Sequence, residues 1–244
     1  MVHEREYTLL IALFPLLPVG RGKRYKIMRT THTSFPFADH TLHIVGFDPN
    51  SFHEHDLLWL PHHAQLTAGA RKRKAEHLAG RIAAIHALRE YGIKTVPGIG
   101  EQRQPLWPHG LFGSISHSAT TALAVVSRYP VGLDIEAIFS QQVAAELADS
   151  IIDNTERQIL LHTSLPFPLA LTLAFSAKES LYKAFSAQAT GLPGFASAKI
   201  TALTPTQITL QILPLFSQSL AGQEVNVRWF QRDRKVITLC DVIF

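Results

Sequence analysis

Gly113-Ser-Ile-Ser-His-Ser-Ala-Thr-Thr-Ala-Leu-Ala-Val-Val-Ser-Arg-Tyr-Pro-Val-Gly-Leu-Asp-Ile-Glu136 is the stretch that settles the fold class. Gly113 to His117 and Thr121 to Val126 are strand-like and joined by a short polar turn. Val131 to Glu136 is a third strand, opening after Pro130. Strands connected this closely read as hairpins. With helical segments on either side, they predict a mixed α+β fold rather than a parallel doubly wound sheet.

Upstream, Ala68 to Tyr91 is the clearest helix. Leu78, Ile82, Ile85 and Leu88, with Ala79 and Ala84, recur at helical spacing, and Gly92 stands as the stop. Thr41 to Phe47 alternates like a strand, Leu57 to Leu60 is a short apolar run ended by Pro61, and Glu101 to Pro108 is a proline-punctuated loop. Downstream, Gln141 to Ile152 and Asp153 to His162 read as helices, the second capped by Asp153 or Asn154. Leu169 to Phe185 is one helix or two abutting ones. Lys199 to Thr201, Gln207 to Leu213, Val225 to Trp229 and Val236 to Val242 alternate like a strand meander.

The 244 residues, 46% hydrophobic and 17% charged, suit one large globular domain or two small ones. A single cysteine, Cys240, excludes a disulfide framework and a cysteine-based zinc site. The net charge of +4 is concentrated at Arg21 to Lys26, Arg71 to Lys74 and Arg228 to Lys235. Such a surface suits a polyphosphate, nucleic acid, anionic lipid or acidic protein without choosing among them. The first 27 residues differ from the rest. Thr8 to Val19 has the length of a signal-peptide core, but Glu4 and Glu6 stand where positive charge belongs and no A-x-A site follows. The expectation is an upstream extension outside the fold, with Met28 the natural start. A weak membrane-surface anchor, backed by Arg21, Lys23, Arg24 and Lys26, is the rival.

The chemistry lies in two acidic segments. Asp134 and Glu136 are spaced i, i+2, which puts both on one face of a strand. Neighbouring carboxylates repel, so something positive must compensate. Mg²⁺ is one answer, and an exposed edge strand with solvated acids is the other. In Phe175-Ser-Ala-Lys-Glu-Ser-Leu-Tyr-Lys183, Glu179 and Lys183 share a helix face. Ser176-x-x-Glu179 also reads as a capping box, so helix cap and catalytic acid both remain open.

Arg73 and Arg81, about two helical turns apart, can fork onto a phosphate monoester or lie on a solvated helix surface. Gly80 beside them admits close approach to the backbone. His117 suits a phosphate contact or a turn. A hydrolase built on Ser116-His117 with Asp134 is rejected: strand neighbours face opposite sides, and there is no G-x-S-x-G elbow. His53-Glu-His-Asp56 and His62-His63 lack H-E-x-x-H spacing and read as loop rather than metal site.

Arg71-Lys-Arg-Lys74, Glu76-His-Leu-Ala-Gly-Arg81, Arg103-Gln-Pro-Leu-Trp-Pro108, Gly113-Ser-Ile-Ser-His117, Gly132-Leu-Asp-Ile-Glu136 and Phe175-Ser-Ala-Lys-Glu-Ser180 are individually modest. In order and spacing, over nearly all of Met28 to Val242, they resemble the 4′-phosphopantetheinyl transferases of the surfactin-synthetase type. The resemblance implies two similar α+β halves related by pseudo-twofold symmetry, residues 28–129 and 130–244, with coenzyme A in the cleft between them. It implies transfer of the phosphopantetheine arm to a serine of apo aryl and peptidyl carrier domains of siderophore synthases, with release of adenosine 3′,5′-bisphosphate. Asp134, Glu136 and Glu179 match the Mg²⁺-binding acids. Glu179, or a water on the ion, is implied to take the serine proton, and Lys183 to contact the pyrophosphate. Arg73, Arg81 and His117 match contacts to coenzyme A phosphates, with Ser116 and Asp134 in the same site.

Two departures stand out. Phe175 replaces a Trp common among relatives, and Ala184 to Gly191 replaces a Gly-Lys-Gly-type run. The expected protein is a cytoplasmic monomer, with peripheral association at the inner membrane left open. One rival is a basic nucleic-acid-binding protein, which lacks a recognisable nucleic-acid motif. Another is a coenzyme A-binding pseudoenzyme, against which the acid set is complete.

Overall fold

Thr30–Phe37 (β1) and His40–Phe47 (β2) form an antiparallel hairpin in full register, Thr30 opposite Phe47 and Phe37 opposite His40. Its turn holds Ala38 and Asp39 at φ 56° and 62°, both left-handed. That geometry usually calls for Asn-Gly or Asp-Gly. Neither is present, and β1 is half-exposed and carries Pro36, so the strand escapes pattern reading. In the computed structural model, residues 27–191 and 193–242 are described. The expected N-terminal extension, residues 1–27, and its membrane-anchor rival lie outside the described residues except for Ile27.

One compact unit comprises the described residues up to His109 together with Ala119–Val126. Here β2 also pairs antiparallel with Thr121–Ser127 (β6), His43 opposite Ala124. The helix Arg71–Arg89 (α1) packs on β2. Leu78, Ile82, Ile85 and Leu88 are buried along it, as the spacing predicts, and Gly92 ends it at φ 74°. The short run before Pro61 is a 3₁₀ helix, Glu54–Trp59, whose Asp56 carboxylate accepts the His53 N–H at 2.7 Å. His53 to Asp56 is therefore a cap. The loop after α1 holds two minimal strands, Gly98–Ile99 (β3) and Pro105–Leu106 (β4).

The second unit comprises Gly110–Ser118 and the described residues from Ser127 onward. In this unit Phe112–Ser118 (β5) is stitched to Val131–Ala137 (β7). The Leu133 N–H donates to Ser114 Oγ at 2.9 Å, and Ser116 Oγ donates to the Asp134 side chain. Gln141–Ile151 (α2), Asn154–Leu161 (α3) and Phe167–Phe185 (α4) follow, with Asp153 and Glu156 forming the capping box of α3. Then come Ala198–Leu203 (β8), Gln207–Ile212 (β9), Glu224–Arg232 (β10) and Lys235–Asp241 (β11). The sheet runs β7-β11-β10-β9-β8, every pairing antiparallel.

Helix α4 is a single helix lying on β7 and β11 and covered by α2. Enclosed this way it is apolar on most of its surface. Its Leu171, Ala174, Ala177 and Leu181 meet Ile200, Ile208, Leu210, Ile212, Val227 and Cys240 from the sheet. Each large side chain so buried contributes about 1.5–3 kcal/mol. The elements are mixed and antiparallel, the α+β class read from the hairpin spacing. Among the described residues no helix is long and apolar enough to cross a membrane.

Candidate active site

Gly132 lets β7 and α4 touch. A Cβ there would lie 1.8 Å from the Ser180 carbonyl oxygen and 2.6 Å from the Ala184 nitrogen, so only a residue without one fits. The close approach lowers the polar face of α4 onto Asp134, which is 2% exposed. Asp134 Oδ2 accepts from Ser176 Oγ at 2.7 Å. Its Oδ1 accepts from Ser116 Oγ at 2.8 Å and from Lys183 Nζ at 2.7 Å. Lys183 Nζ also donates to Leu133 O at 3.1 Å and to Ser116 Oγ at 3.2 Å. Thr238, paired with Asp134 across β7 and β11, donates to Ser176 O at 2.9 Å and lies 2.7 Å from Ser180 Oγ.

Two alternatives from the sequence fall here. Asp134 is not a solvated edge acid: β5, α4 and β11 enclose it. Ser176 is not a helix cap, because α4 begins at Phe167 and Ser176 lies in its interior. The hydroxyl of Ser176 serves Asp134 instead. Thr238 and Ser180 had no signal in the sequence, since Thr238 lies in the last strand and looks like any β-branched core residue.

Glu136 and Glu179 are half-buried beside this node. Burial raises the Glu136 carboxyl to about 7, the Asp134 and Glu179 charges add to the rise, and Lys183 opposes it. Glu179 is also raised, first by burial and then by Asp134, again against Lys183. Three carboxylates thus share one ammonium. Among the described residues no group of three His, Cys, Asp or Glu is drawn together as an ion would require. The donor chemistry still suits a hard divalent cation: oxygen ligands only, with negative charge in excess.

Lys178, next to Glu179, has a different job. Its Nζ lies 2.7 Å from Glu156 Oε1 with both side chains almost fully buried, and donates to Ile151 O at 2.8 Å and Phe195 O at 3.0 Å. It pins α4 to α3 and the end of α2, which sets the rotation that presents Glu179 and Lys183.

In the first unit, Arg73 is exposed on α1, whereas Arg81 is 5% exposed and donates to Gly98 O at 3.0 Å. Burial lowers Arg81 to about 10. Arg71 donates to Asn50 O at 3.2 Å, and Lys74 pairs with Glu54 at 2.8 Å. Within the basic run Lys74 is buried, while Arg71, Lys72 and Arg73 are exposed. On β5, Ser116 is buried and His117 exposed, as strand alternation requires. A cavity of about 720 Å³ lined by Ile159, Leu165, Leu203 and Trp229 shares no residue with the acid node. That cavity is lined without a carboxylate or a lysine.

Comparison with known proteins places the chain in a family. The N-terminal domain model of 4′-phosphopantetheinyl transferases matches residues 62–127, and the 4′-phosphopantetheinyl transferase superfamily model matches residues 130–240. Enterobactin synthase component D of Salmonella typhimurium is 67% identical over 216 residues, 88% of this chain and 92% of that protein. The Escherichia coli K12 protein of the same name is 55% identical over 213 residues, 87% of this chain and 98% of its own length. A 4′-phosphopantetheinyl transferase of Mycobacterium tuberculosis is 34% identical over 151 residues, 58% of this chain and 64% of that protein. The acid node on β7 and α4 thus lies in a chain that belongs to the 4′-phosphopantetheinyl transferase superfamily and is an enzyme of that activity.

Proposed function

We propose that this transferase moves the phosphopantetheine arm of coenzyme A to a serine of apo aryl and peptidyl carrier domains of an enterobactin-type siderophore synthase. The observation that carries the reading is the buried node of Asp134, Ser116, Ser176 and Lys183 flanked by Glu136 and Glu179. The relatives named for enterobactin synthesis narrow the carrier class. The serine Oγ bonds to the phosphorus that bears the pantetheine arm. The anhydride oxygen leaves with adenosine 3′,5′-bisphosphate, and Glu179 takes the serine proton.

Lys183 contacts the pyrophosphate. Arg73, Arg81 and His117, with Ser116, meet the phosphates of coenzyme A, where fixed cations supply most of what phosphoryl transfer needs. Asp134, Glu136 and Glu179 would hold Mg²⁺, which when bound neutralises charge building on the phosphates.

The test is mass spectrometry of apo carriers after incubation with the enzyme, coenzyme A and Mg²⁺. The expected result is a gain of one phosphopantetheine on aryl and peptidyl carriers, and no gain on any carrier class overturns the reading. Asp134→Ala is expected to abolish transfer while leaving part of the coenzyme A affinity, and full activity in that variant would refute the metal role.

A further inference from the structure

Asp134 is already crowded. An ionised carboxylate offers about four acceptor positions. Three are taken: Ser116 Oγ and Lys183 Nζ on Oδ1, and Ser176 Oγ on Oδ2. The two hydroxyls are neutral and leave the charge of the carboxylate available. Lys183 does not. An ammonium 2.7 Å from Oδ1 stands where a metal ligated by the same oxygen would meet a like charge at close range.

The partners also differ in freedom. Ser116 and Ser176 are buried, whereas the Lys183 side chain is 26% exposed and has a four-carbon stem that can swing toward solvent. Lys183 compensates the Asp134 charge that a divalent ion held by the same carboxylate would compensate.

We propose that Lys183 and the divalent cation are alternative occupants of Asp134, so that arrival of the ion releases the ammonium toward the anionic substrate. The lysine keeps a buried carboxylate compensated before the ion comes, and the exchange frees the phosphate-binding group only once the metal is in place. The inference rests on the reading of Asp134, Glu136 and Glu179 as the metal acids.

The test uses Mn²⁺ as the probe, without coenzyme A, with free Mn²⁺ counted by electron paramagnetic resonance. Wild type, Lys183→Met and Asp134→Asn are titrated in parallel. Removing the competing charge should tighten Mn²⁺ binding at least about tenfold in Lys183→Met. Equal or weaker binding in Lys183→Met, with wild type binding above Asp134→Asn, overturns the exchange and leaves the metal site standing. Wild type and Lys183→Met both binding no more than Asp134→Asn overturns the metal reading itself and the exchange with it.

Should Lys183→Met fail to fold, the wild-type protein decides through lysine acylation read by mass spectrometry. Mg²⁺ should raise the acylation rate at Lys183 as the amine leaves Asp134, and an unchanged or slower rate overturns the exchange.

Discussion

Gly132 and Asp134 carry the site at the scale of single residues. The missing side chain of Gly132 sets the distance between β7 and α4, and the hydroxyls that reach Asp134 depend on that distance. Gly132→Ala should push α4 outward, because the obstructing atoms are backbone and cannot rotate away. Overpacking of this kind costs about 1–3 kcal/mol. Urea denaturation should show that loss, and carrier labelling should slow at least about tenfold as Lys183 and Glu179 shift by a fraction of an ångström. A wild-type labelling rate in Gly132→Ala would refute the positioning role. The spacing of Asp134 with Glu136 and of Glu179 with Lys183 was legible residue by residue. Burial was not, because a strand acid reads the same in a sequence whether solvent or Ser176 and Thr238 surround it.

Elements are held by polar pins as well as by apolar faces. Lys178 and Glu156 form a buried pair joining α4 to α3, their side chains 3% and 4% exposed. Removing one partner of such a pair leaves an uncompensated charge and costs about 3–5 kcal/mol. Lys178→Met should therefore lower the thermal midpoint sharply, and Lys178→Met with Glu156→Leu should recover part of the loss. A double variant no more stable than the single one would show that the lone charge is not the cause.

A second joint is the contact of α1 with the β1–β2 hairpin. His32 and His86 stack with centroids 3.6 Å apart, His32 Nε2 lies 3.0 Å from His43 Nδ1, and His43 Nε2 lies 3.0 Å from Glu90. Burial lowers His86 to about 3 and His32 to about 4, with neighbouring histidine charge adding to both. Burial lowers His43 too, against Glu90. The unfolded chain takes up these protons near 6.5 while the folded one refuses them. Stability is therefore full above 6.5 and falls as pH drops toward 4, by about 1.4 kcal/mol per pH unit for each unmatched proton. Denaturant midpoints across that range check it, and a flat profile would contradict the burial of the stack. The periodicity of α1 revealed that helix in the sequence. In the hairpin beside it Thr41 to Phe47 was legible as a strand, whereas β1 and its glycine-free turn gave no comparable signal.

At the scale of the whole molecule, the net charge of +4 argues for steering toward acidic partners. Carrier labelling should show a KM that rises with ionic strength while kcat changes little, as measured by initial rates at low and high salt. A KM indifferent to salt would locate recognition in apolar contacts instead. The α+β class, the order of most elements and the acids were available from the chain itself, because hydrophobic periodicity and short connections are local properties. So was the family, through motifs whose order and spacing survive in one dimension. The enclosure of Asp134 by β5, β7, β11 and α4, the hydroxyl contacts from Ser176 in α4 and Ser116 in β5, and the seating of Lys183 on its carboxylate were decided only in the tertiary structure. Ser116, Asp134, Ser176, Lys183 and Thr238 meet across separations of 18 to 67 residues. Contacts that distant depend on how the sheet and helix pack, and no local pattern encodes them.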